Sequence, residues 1–173
     1  MKFQLAITYP GTLNDVTTML TDQRFYKIRA ELLGIKQCNF AQKDEGDTRQ
    51  IRSVALIAEN DFPENMKKFL PGQIALELTE NWHLSDREHI HSEISVRTRS
   101  APCSLNASCV LESKGNETTR TMDGEIKIAI PLFGRKIELA AAARIRQVSA
   151  LEQAATKRYL DRIGGAITTH MAL

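Results

Sequence analysis

The sequence is poor in the residues that announce chemistry. Its 173 residues hold three cysteines, four histidines, three tyrosines and one tryptophan. Cys38, Cys103 and Cys109 cannot all pair, and no two stand at the CxxC spacing of a metal site. Reduced thiols and a cytoplasmic location are therefore expected. There is no GxSxG elbow, no HExxH and no glycine-rich phosphate loop. Lysine and arginine are scattered and the net charge is only +2, so no basic track for nucleic acid is expected. No apolar run reaches 18 residues, and Met1-Lys2-Phe3-Gln4 opens without a signal core, so neither a membrane span nor secretion is expected. The 42% apolar and 25% charged residues are those of an ordinary globule, read as one domain over 1–173.

What the sequence has is patterned length. The stretch from Arg135 to Ile163, closed by Gly164-Gly165, contains no glycine or proline. Its apolar residues Ile137, Ala141, Ile145, Val148, Leu151, Ala155, Tyr159 and Ile163 recur at steps of three or four, one stripe of a long helix. Arg144, Arg146, Gln153, Lys157 and Asp161 fall on the opposite face. At the other end, Phe3, Leu5 and Ile7 alternate with Gln4, Ala6 and Thr8, a half-buried strand broken at Pro10-Gly11. Two short helices follow, the first capped by Thr12 or Asn14 and the second by Asp22, with Gly34 as its stop. Strands are expected over Ile35–Lys43 and Thr48–Ala58, joined by a hairpin turn. Asn60–Gly72 reads as a loop with apolar residues from Phe62 to Leu70. Four long strands then form a meander: Gln73–His83, Glu88–Arg99, Ser104–Glu112 and Thr119–Ile130. The fold class is α+β, in the order βααββββββα.

Period two assigns the inward faces. They are Ile74, Leu76, Leu78, Glu80 and Trp82; Ile90, Ser92, Ile94, Val96 and Thr98; Leu105, Ala107, Cys109 and Leu111; and Met122, Gly124, Ile126, Ile128 and Ile130. The helix stripe that must cover them is thin, with Ala141, Val148 and Ala155 at places where leucine would fill more space. Such a stripe either docks closely or leaves a cavity.

This element order, with a long amphipathic last helix, resembles the START-like superfamily and its helix-grip fold, a curved antiparallel sheet around a C-terminal helix. The junction Gly124-Glu125-Ile126-Lys127-Ile128-Ala129-Ile130-Pro131-Leu132-Phe133-Gly134-Arg135-Lys136-Ile137-Glu138 resembles one bacterial branch of unknown function, as do Phe3–Asp22 and Thr79-Glu80-Asn81-Trp82. The resemblance implies a hydrophobic cavity between sheet and helix, holding an apolar small molecule or lipid. Its expected lining is Leu78, Glu80, Trp82, Ile94, Ala107, Cys109 and Ile128 from the sheet, with Ala141, Ile145 and Val148 from the helix. Phe62–Leu70 and the first helix are expected to close its mouth.

Candidate chemistry is sparse. Glu80 is the one acid in an inward register, either a polar hook or general acid in a cavity, or a strand-end carboxylate that reaches water. With Tyr159 it is the only pair on which a cyclase-type activity could rest. Ser92 and Thr98 offer hydroxyls. Cys109 reads as a small buried hydrophobe. His83 and His89 are expected to pair across a hairpin, with His91 diagonal, on the solvent face, so no metal is expected. No cofactor is expected, and a third possibility is a filled core whose outer surface binds a partner protein.

Overall fold

The computed structural model describes residues 1–57, 72–86, 88–98, 103–129 and 147–163. Along the chain these form β1 (Lys2–Pro10), α1 (Leu13–Leu20), α2 (Gln23–Leu32), β2 (Gln37–Glu45), β3 (Thr48–Ile57), β4 (Ile74–His83), β5 (His89–Thr98), β6 (Cys103–Lys114) and β7 (Glu117–Ile128). A last helix, α3, occupies 147–163. The seven strands make one curved antiparallel sheet in the order β1-β7-β6-β5-β4-β3-β2. This is the helix-grip arrangement with the expected element order. The two short helices carry the chain from one edge of the sheet, β1, to the other, β2.

Local signals act as their chemistry requires. Thr12 caps α1 and forms a reciprocal box with Asp15. Asp22 caps α2 by accepting from the Arg24 backbone N–H at 2.7 Å. The β2–β3 and β6–β7 hairpins each turn on two residues, the first a glycine at positive φ, Gly46 at 58° and Gly115 at 65°. Such turns match the twist of the strands they join. At Gly124 the glycine serves close approach instead. A Cβ there would lie 2.4 Å from Phe3 Cζ and 2.9 Å from Ala107 Cβ, because the Phe3 ring lies over the bare backbone.

In α3 the inward residues are Glu152, Ala155, Thr156 and Tyr159, with Val148, Leu151 and Ile163 half-buried, while Gln153, Lys157 and Asp161 face water. The stripe matches expectation except that Glu152 lies deeper than Leu151. The earlier part of the expected helix, with Ile137, Ala141 and Ile145, lies outside the described residues, as do Ile130 and the loop Phe62–Leu70. α1, α2 and α3 share one core with the sheet, built from Ile7, Leu20, Phe25, Ile28, Trp82 and Leu111 among others. Cys38, Cys103 and Cys109 are free thiols.

β1 ends at Pro10, at the expected break, and Tyr9, two residues beyond Ile7, is buried with it. One expectation on the strands needs correction. In the β4–β5 hairpin His83 opposes His91, not His89. His89 lies across from Glu112 instead, its Nε2 3.6 Å from the carboxylate. A slip of two keeps every side chain on its own face, so the three histidines remain outward although their partners change. Among the described residues no group of three or more metal-ligating side chains is placed to hold an ion.

Candidate functional site

The sheet registers stack the inward residues into rows, and burial differs from one row to the next. Trp82, Ser92 and Cys109 form one row and are 0%, 1% and 1% exposed. Next come Glu80, Ile94, Ala107 and Gly124, of which Glu80 and Ala107 are buried and the other two half-buried. Beyond them Leu78, Val96 and Leu105 are all half-buried, with Ile126 buried at the end of the row. Last, Leu76 pairs with Thr98 and Cys103 with Ile128, and all four are half-buried. The inner face is thus sealed at the end near α1 and α2; at the other, Leu76, Leu78, Val96 and Leu105 are part-exposed beside buried Ile74 and Ile126.

The sealed end is polar at its centre. Glu80, 2% exposed, forms an ion pair with Arg120, 3% exposed, through Oε1 and Nη2. Ser92 Oγ donates to the same Oε1 at 3.2 Å, and Tyr26 Oη donates to Oε2 at 2.6 Å. Arg120 Nη2 also donates to Ser92 Oγ at 3.2 Å and to Cys109 Sγ at 3.5 Å. The guanidinium lies 5.2 Å from the centre of the Trp82 ring. Burial opposes the arginine's charge, yet Glu80 beside it raises the Arg120 pKa well above its ordinary value. Burial also pushes the Cys109 thiol up, which keeps it protonated and a poor nucleophile.

A second, part-buried pair fastens the last helix. Arg29 of α2 donates to Glu152 Oε2 of α3 at 2.6 Å, and Tyr9 Oη of β1 donates to the same oxygen at 2.8 Å. Arg29 also lies over the Phe25 ring at 4.3 Å. At the far end of α3, Tyr159 Oη donates to Asp22 Oδ2 at 2.7 Å. Each of the chain's three tyrosines therefore donates a hydrogen bond to a carboxylate on another element.

These tyrosines make the fold sensitive to alkali. Burial, then the adjacent carboxylate, raises Tyr9 and Tyr26 well above the ordinary phenol value of 10.0. Tyr159 is pushed up to about 12 by burial and its bond to Asp22. A folded-state pKa above the unfolded one contributes stability that is complete below pH 10 and is lost as the pH rises through the folded value. The urea midpoint should therefore hold to about pH 10 and fall steeply towards pH 12. Phenolate absorbance should appear together with unfolding. Free titration of all three tyrosines near pH 10 in the folded protein would show that these bonds do not form.

Of the expected lining, Leu78, Ile94 and Ile128 stand on the part-open wall, while Glu80, Trp82, Ala107 and Cys109 belong to the buried floor. Val148 is half-buried on α3, and Ala141 and Ile145 lie outside the described residues. Glu80 does not reach water at a strand end; it is enclosed and paired. Tyr159 is engaged with Asp22 and not with Glu80, so the two do not form an acid–base pair. Arg120, Tyr26, Tyr9, Arg29 and Glu152 were not singled out from the sequence. Arg120 was available to period two, since it lies two residues before Met122, and Glu152 lies four after Val148. Asn81, Glu93, Asn106 and Asp123 help line an open groove of about 600 Å³ of mixed polar and apolar lining.

Similar structures share this architecture at low identity. A protein of Thermus thermophilus superposes with TM-score 0.63 at 15% identity, covering 94% of this chain and 99% of its own. A START superfamily protein of Mycobacterium smegmatis gives 0.54 at 11%, covering 91% and 98%. Norcoclaurine synthase of Thalictrum flavum gives 0.56 at 13%, covering 92% and 86%. At these identities the likeness is one of fold, and the fold is START-like. No curated protein matches the sequence. Residues 4–160 match the family model described as protein of unknown function (DUF2505), and the chain belongs to that family.

Proposed function

We propose that the chain binds an apolar small molecule or acyl chain between the inner face of its sheet and its C-terminal helix, as a single binding domain and without converting the ligand. The observation that carries this reading is the partial exposure of Leu76, Leu78, Val96 and Leu105 above a sealed floor. Protein interiors are close-packed, so apolar side chains left part-exposed on one face offer a surface that a ligand can complete. START-like neighbours of the same architecture support a ligand-binding scaffold. Glu80 favours binding over catalysis. Both of its oxygens are engaged, by Arg120 and Ser92 on one side and Tyr26 on the other, which leaves it poorly placed to move a substrate proton.

Leu78→Trp puts a reporter on the part-open wall, whereas Trp82 sits in the floor. Fatty acids and polycyclic aromatics should be taken up saturably in equilibrium dialysis and should shift the emission of Leu78→Trp. Micromolar affinity, about −8 kcal/mol, is expected. No uptake across the panel, with unchanged emission from the reporter, would argue for a filled interior.

A further inference from the structure

Hydrogen bonding in the floor leaves donors over. Among the described residues, the buried side-chain nitrogens and oxygens without a partner are Arg29 Nε, Trp82 Nε1 and Arg120 Nε. All three are N–H donors. Trp82 and Arg120 belong to one layer, since the guanidinium lies 5.2 Å from the indole, and the two residues are 0% and 3% exposed. The charges of the two ion pairs, in contrast, balance: Glu80 answers Arg120, and Glu152 answers Arg29.

A buried N–H without an acceptor is costly, so surplus donors call for an acceptor. A layer whose charges already cancel calls for one without charge, because a carboxylate would add an uncompensated buried anion. Resting on the binding function above, we propose that the ligand carries a neutral carbonyl oxygen at its inner end (a ketone, ester or amide) that accepts from Trp82 Nε1, with Arg120 Nε as a second donor of the same layer. Trp82 lies one row below Glu80, Ile94 and Ala107, and part-exposed Ile94 marks where the part-open wall begins. The carbonyl end faces the floor and the apolar body runs along Leu78, Val96 and Leu105.

Three probes of matched length separate the possibilities: dodecane, methyl decyl ketone and dodecanoate. Calorimetry on the full chain should show the ketone binding about tenfold more tightly than dodecane, and more tightly than dodecanoate. Trp82 is the only tryptophan, so its indole N–H gives a single amide-region resonance. The ketone should move that resonance downfield, in the direction of a new hydrogen bond, and dodecane should not. If dodecane matches the ketone in affinity and in its effect on the indole, the donors are served by water and the carbonyl assignment is wrong, although the apolar site stands. Tightest binding by dodecanoate overturns the neutral head. If none of the three binds, the apolar site itself fails and this assignment fails with it.

Discussion

Arg120→Ala is expected to remove about 3–5 kcal/mol of stability, the usual effect of leaving a buried charge without its partner. Glu80 would remain enclosed at 2% exposure with only Tyr26 and Ser92 donating to it. The urea midpoint should fall accordingly, with the slope unchanged if the transition stays two-state. The pair itself need not be stabilising. Two charges lose their hydration on burial, and an apolar pair of similar volume often does as well or better. Glu80→Met/Arg120→Met should therefore recover most of the loss, and the two single changes should add to far more than the double. If Arg120→Ala stays within about 1 kcal/mol of wild type, the buried carboxylate does not depend on the arginine, and its role as the fixed centre of the floor is lost.

Glu80 and Trp82 were legible from the sequence because a strand has only two faces, and alternation from Ile74 through Leu78 placed both inward. The same alternation, carried two residues back from Met122, reaches Arg120. It is overlooked because a charged side chain near a strand end is assigned to water by default. The pairing of Glu80 with Arg120 was less accessible still. It joins β4 to β7 across the width of β5 and β6, and a period says which face a residue takes, not which residue it meets. The histidine register shows the same limit. Faces survive a slip of two, but neighbours do not. Order and topology were more legible because capping residues, glycine turns and strand spacing act locally. The two ion pairs are long-range facts, one set by the curvature and register of the sheet and the other by how α2 and α3 lie against each other.

Glu152→Ala is the other change with a large expected effect, and it acts on the helix instead of the sheet. Glu152 Oε2 accepts from both Arg29 and Tyr9, so one carboxylate ties α3 to α2 and to β1. Its removal leaves Arg29, whose side chain is only 16% exposed, without a counter-charge, and it frees the Tyr9 hydroxyl. A loss of about 3–5 kcal/mol is expected, again by urea unfolding. The distribution of that loss identifies the mechanism. α3 is held by Ala155, Tyr159 and half-buried Val148 as well, while the sheet has its own ladders. Amides of 147–163 should therefore exchange much faster in Glu152→Ala, while those of β5 and β6 change only as the global stability does. Glu152→Gln, which keeps an acceptor for Tyr9 but no charge for Arg29, should fall between wild type and Glu152→Ala. Uniform acceleration across helix and sheet would mean that α3 and the sheet open as one unit, and that Glu152 is not a separate fastening of the helix over the binding face.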